Sequence, residues 1–136
     1  MAEITKNYGL KCPSDTDYYN IEDHNGNMRI IDDAIASAVN VGMYVGDGET
    51  ERFISLPRTP KFVLILQNGN KLRENGNTTK VYGGLAVGDQ PAFAADAYII
   101  IEEGGFRLRH LNGAGSNSSV YVQINTTDSN YFYLWG

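Results

Sequence analysis

Phe62-Val63-Leu64-Ile65-Leu66-Gln67 decides how this chain reads. The run is apolar at every position from Phe62 to Leu66, so both of its faces should be covered, and the strand should be central in a sheet. Asn68-Gly69, directly after it, has the residue types that a tight primed hairpin turn demands. On either side lie seven more short β-prone runs, Met43–Val45, Arg52–Leu56, Lys80–Leu85, Ala97–Ile101, Phe106–Leu111, Val120–Asn125 and Tyr131–Trp135. Eight strands at this spacing, separated by Gly, Asn and Pro turns, predict a mainly β protein with a β-sandwich or jelly-roll-like head. Pro57 and Pro60 fix a bend between the second and third strands, and Glu102-Glu103-Gly104-Gly105 fits a short hairpin loop. In the last strand Tyr131, Tyr133 and Trp135 fall on one face, and Phe132 and Leu134 on the other. A sandwich of this size covers both faces of few strands, so a second chain is the simplest source of the remaining cover.

Before Gly42 the pattern changes. Residues 1–22 read as an extended leader, broken by Gly9, Pro13 and Ser14-Asp15-Thr16-Asp17. Its apolar residues, Ile4, Tyr8, Leu10, Tyr18, Tyr19 and Ile21, are too frequent for a solvated tail and predict that it lies on another surface. From Asn27 to Asn40 the residues Met28, Ile31, Ile35, Ala38 and Val39 recur at three- and four-residue steps, the stripe of one short helix. Asp23 or Asn25 is the expected N-cap, with Asn40 and Gly42 as the stop. Met28, Ile31, Ile35 and Ala38 also have the a/d spacing of a short coiled coil of three or more strands. Packing of the same stripe on the β domain of its own chain is the other reading. The expected division is 1–41, leader and helix, and 42–136, the β head.

The chain has 136 residues and a net charge of −5, with no cluster of Lys or Arg, so it lacks the electrostatic footprint that binding a phosphate backbone or an anionic membrane requires. No nucleic-acid partner and no membrane insertion are expected. The start has no apolar signal-peptide core, so the chain reads as made in the cytoplasm. One cysteine, Cys12, excludes an internal disulfide, and with His24 and His110 far apart no metal set or cofactor site is predicted. His110 alternates with Phe106 and Leu108 and reads as a core histidine; His24 reads as a helix-start residue. Asp23-His24-Asn25-Gly26-Asn27 departs from a calcium loop, because its glycine comes too early and Ala34 stands where a bidentate Glu belongs. Glu102 and Glu103 point to opposite faces of a strand and make a poor acid/base pair. No catalytic residue is assigned, and the chain reads as a non-enzyme.

Two stretches carry a resemblance. Asn7-Tyr8-Gly9-Leu10, Pro13, Asp17 to Asp23, Asn27 and Ile30-Ile31-Asp32-Asp33-Ala34-Ile35 resemble the N-terminal segment of tail fibre and baseplate-associated proteins of phages and prophages of Gram-positive bacteria. Gly42 to Gly48, Phe53-Ile54-Ser55-Leu56, Thr59 to Ile65, Gly104-Gly105-Phe106 and Tyr131-Phe132-Tyr133-Leu134 are similar to pieces of a β domain at the distal ends of such fibres. The resemblance implies a homotrimeric virion component of the phage tail, attached to other tail or baseplate proteins through its N-terminus. Its β head would bind a host surface glycan or wall polymer. The helix leads almost directly into the strands, where such fibres usually place a long shaft, which favours a short tip, a baseplate appendage or a remnant encoded by a prophage. Candidate ligand loops are 68–78, 86–96 and 112–119, with Asn68, Asn70, Asn75, Asn112 and Asn117 as candidate contacts; the alternative use of these residues is to make turns. A structural virion adaptor or capsid decoration protein without a host ligand is the alternative function. A polysaccharide depolymerase is a third, and it lacks the paired carboxylates it would need.

Overall fold

The computed structural model describes residues 3–92, 98–111 and 120–136, and these residues are mainly β, with 43% strand and 14% helix. The chain divides into two units, one running to Ala38 and the other starting at Val39.

The first unit holds a two-stranded antiparallel ribbon, β1 (Glu3–Ile4) and β2 (Lys11–Cys12), and the helix α1 (Ile21–Ser37). The leader is therefore folded at its start rather than extended throughout. Thr5 closes the ribbon: its N–H donates to the Leu10 carbonyl, while its Oγ1 and carbonyl accept from Leu10 and Gly9. Gly9 makes the reversal at φ +67°, a conformation that glycine reaches without steric cost.

The helix begins earlier than its apolar stripe. Asn20, not Asp23 or Asn25, is the N-cap, its side chain accepting from the Glu22 N–H, and Glu22 and Asp23 then lie in the first turn, where the helix dipole favours acids. The end also differs. Ser37 is the last helical residue and Ala38 is the extended C-cap, its N–H bonded to the Ile35 carbonyl. Asn40 opens a strand and Gly42 lies inside it, so neither stops the helix. The physical reason is competition: residues 40–45 each pair with a residue of the C-terminal strand, and that ladder takes the chain from the last helical turn.

The second unit contains β3 (Asn40–Val45), β4 (Glu51–Ser55), β5 (Phe62–Gln67), β6 (Arg73–Glu74), β7 (Thr79–Val81), β8 (Gly83–Val87), β9 (Ile99–Glu102), β10 (Gly105–Arg109), β11 (Val120–Val122) and β12 (Asn130–Trp135). They form sheets in the orders β3-β12-β5-β8, β4-β10-β9 and β11-β7-β6, antiparallel throughout except for the β11–β7 pair. The architecture is β-sandwich-like, with one helix ahead of it. β5 is central, paired to β12 on one side and β8 on the other. Val63 and Ile65 from β5, Tyr131 from β12, and Phe106, Leu108 and Ile99 from the facing sheet are all fully buried in one core.

Two expectations change here. The run Lys80–Leu85 is divided: β7 pairs with β6 and β11, and β8, beyond Tyr82, pairs with β5. Gly83 permits the changeover, because a Cβ there would lie 2.1 Å from the Ile65 carbonyl oxygen. Asn68-Gly69 does not close a primed hairpin. Only Gly69 has positive φ, the Asn70 N–H donates to Gln67 O, and β5 continues into β6, which is not its sheet neighbour. Glu103-Gly104 does join β9 to β10 as a two-residue hairpin, with Gly104 at φ +72°.

Candidate functional site

Three surfaces matter: the N-terminal unit, the loop hollows of the head, and the outward sheet faces.

In the N-terminal unit the ribbon is clipped to the helix by one side chain. Asn27 accepts from the Lys11 N–H through Oδ1 at 2.8 Å and donates from Nδ2 to the Lys11 carbonyl at 2.8 Å, so its amide pairs with β2 as a neighbouring strand would. Lys11 Nζ also reaches Asp23 on the first turn. Beside this clip Pro13, Tyr18, Tyr19, Asn20 and His24 line a hollow of about 320 Å³. Tyr18 is 98% exposed and Tyr19 72%, and the Tyr19 and His24 rings lie 6.2 Å apart. The aromatic residues of the leader thus face solvent in this unit, rather than a surface of it.

The four residues proposed as a seam do not share one helix. Met28, Ile31 and Ile35 lie on α1 and are exposed, at 52%, 37% and 65%; Ala38 is its cap. Ile31, Ile35 and Ala38 nevertheless line one apolar groove of about 260 Å³ with Tyr8 and Ala34.

In the head three candidate contacts fall within the described residues; the side chains of Asn70 and Asn75 are engaged in loop bonds, and the backbone of Asn68 continues the β5–β12 pairing. The Asn68 N–H donates to Asn130 O, Asn70 Nδ2 donates to Gln67 Oε1, and Asn75 Oδ1 accepts from Arg73 Nε. Asn112 and Asn117 lie outside the described residues, as does the whole of the 112–119 loop. The 68–78 and 86–96 loops do converge on one small hollow of about 220 Å³, bordered by Leu72 and Arg73 from the first, Ala92 from the second, and Gly83, Gly84 and Tyr98. Gly84 leaves its floor open, since a Cβ there would come within 3.3 Å of Ala92 and the Tyr98 ring. Burial pushes the Tyr98 hydroxyl up to about 12, with the Arg73 charge pulling the other way, so it stays protonated and can donate a hydrogen bond. Tyr98 is itself 3% exposed and belongs to the core, as the apolar run that holds it leads one to expect, with its ring forming the inner wall of the hollow.

His110 is 1% exposed, its Nδ1 accepting from the Asn125 backbone N–H and its own backbone N–H donating to Thr50 O, as a core histidine. Asn125, fully buried, was missed as the centre of a polar network. Its Nδ2 donates to Asp47 and to Glu49 O, and its Oδ1 accepts from Asp47 N and Arg52. Burial works to raise the Asp47 carboxyl, but the Glu49 N–H, the Asn125 amide and Arg52 outweigh it and hold the group below its ordinary value. Glu102 is held low first by its hydrogen bonds from Arg107, at 2.7 and 2.9 Å. Cys12 is exposed, and among the described residues no three His, Cys, Asp or Glu side chains converge on a point. No helix among them is long and apolar enough to cross a membrane.

The outward faces of the two large sheets differ sharply. On β4-β10-β9 the face carries Arg107 bonded to Glu102, Arg109 paired to Glu51 at 3.3 Å, and the Arg107 guanidinium over the Phe53 ring. On β3-β12-β5-β8 the paired positions give one row of Val41, Leu134, Leu64 and Leu85, and another of Met43, Phe132, Leu66 and Gly83.

Comparison with family models, with curated proteins and with solved structures found no match to this chain.

Proposed function

We propose that this chain is a non-enzymatic structural protein of a phage tail, a short fibre or tail tip that assembles as a homotrimer and places its β head against the host cell surface, on a glycan or wall polymer. The observation that carries the reading is the pairing of a small ribbon-and-helix unit, rich in exposed aromatic and apolar residues, with a separate β unit. Tyr18, Tyr19 and Ile21 offer other tail or baseplate proteins an attachment surface that a free tail would not keep. The clip through Asn27 gives the motif residues Asn7 to Leu10 and Asn27 a common task, since they shape and hold the ribbon. The hollow between Leu72, Ala92 and the buried Tyr98 ring is where a sugar would find an apolar floor with the Arg73 guanidinium at its rim.

Saturable binding of the labelled full-length chain to Gram-positive cells, competed by their soluble wall glycans, is the expected result. Absence of binding to every envelope and wall polymer tried would sink the adhesive part. One observation favours the other reading, a virion adaptor or capsid decoration protein without a host ligand: the side chains of Asn70 and Asn75 are engaged in loop bonds. Particles that adsorb normally with an Arg73→Ala head would favour the adaptor.

A further inference from the structure

We infer that the outward face of the β3-β12-β5-β8 sheet is the surface through which copies of this chain associate. The inference rests on the self-association in the reading above and moves its seam from the helix to the head, where two identical faces meeting across a two-fold axis would close a dimer in place of the trimer.

Directly paired residues of a sheet share a face. The ladder therefore puts Val41, Met43, Phe132, Leu134, Leu64 and Leu66 side by side, with Leu85 and Val87 on the β8 edge. Val41 is 69% exposed, Met43 65%, Val45 53%, Leu85 53% and Val87 51%. None of these residues is charged. The other large sheet shows how this chain finishes a face meant for water, with two Arg–Glu pairs across its strands. A face left without one charge, on a chain with 20% charged residues, is finished for a partner.

Size selects the occupant. A side chain of this type presents about 60–120 Å² of apolar surface, so the face offers of the order of 500 Å² per copy. Two copies would remove about 1,000 Å² together, the size from which specific interfaces begin. A second copy brings a face of equal width and equal chemistry. With no charge on either face, no charged group has to be desolvated in the contact, and the repulsion between chains of net charge −5 is largely screened at physiological salt.

The test is the solution mass of the full-length protein by light scattering. The wild type should have a multiple of the chain mass, Met43→Lys with Leu85→Lys should fall to the single-chain mass with an unchanged near-ultraviolet circular dichroism spectrum, and Met28→Lys with Ile35→Lys should keep the wild-type mass. Sheet variants that keep the wild-type mass overturn the inference; if the helix variants then dissociate, the trimer stands with its seam on α1. A wild-type monomer overturns both the inference and the trimer, while binding to cells, read separately, is untouched. Should the lysine variants fail to fold, maleimide labelling of Met43→Cys in a Cys12→Ser background replaces them. Labelling at least tenfold slower than at a Tyr18→Cys control is expected, and labelling at the control rate overturns the inference. A dimer mass that depends on the sheet face supports the inference and corrects the stoichiometry.

Discussion

Asn27 and Asn125 show how much a single amide decides in this protein. Each places both of its polar atoms on backbone groups, Asn27 at the surface and Asn125 in the core. Removing an exposed pair costs little, because water takes its place, whereas removing a buried one leaves unsatisfied groups at about 1–3 kcal/mol each. Asn27→Ala should therefore speed proteolysis and amide exchange around Lys11 while leaving the melting of the head nearly unchanged. Asn125→Ala should lower the melting temperature by about 4–8 °C for each kcal/mol lost, read by thermal denaturation. Acid should act through Asp47 and Glu102. Both carboxyls are held below their ordinary values of 3.8 and 4.5, so their contribution is complete above those values and is lost as pH falls through the lower folded ones. Melting temperature should be flat from neutral pH down to about 5 and then decline, more steeply in wild type than in Asp47→Asn. None of these roles is visible in the residues themselves: an Asn before a helical stripe and an Asn in a loop look alike until their partners are placed.

At the scale of elements, alternation and apolar runs carried most of the reading. Phe62–Gln67 begins and ends where expected and is central in its sheet, because a run without polar positions has no other stable place. The ends of α1 and the division of Lys80–Leu85 were not legible, since each depends on a competing partner. Asn40–Val45 is drawn into a ladder with β12, and the chain leaves one sheet for another where Gly83 lies against Ile65. A Gly83→Ala substitution should separate these strands, destabilising the head by about 1–3 kcal/mol in chemical denaturation, as overpacking against a backbone does. The equivalent change at Gly69, where a side chain would meet open space but φ is +77°, should cost less, about 1 kcal/mol.

At the scale of the whole molecule the candidate ligand loops and the seam have different standing in the sequence. The loops were chosen for Asn and Gly content, and in the described part of the head these residues serve turns, while the hollow they surround takes its polar groups from Arg73 and Tyr98. Arg73→Ala, at the exposed rim of that hollow, should weaken any glycan binding by several-fold without moving the melting temperature by more than a few degrees, measured on the same preparation by titration and calorimetry. The sequence by itself determined the mainly β class, the single helix ahead of it, the central strand and the inward place of His110, because each follows from local periodicity and from the cost of exposing apolar or burying polar groups. Only the tertiary structure decided which strands are neighbours, and with that which residues stand together. Val41, Leu134, Leu64 and Leu85 are far apart in the chain and form one uncharged row only through strand register, which long-range pairing sets and no local pattern records.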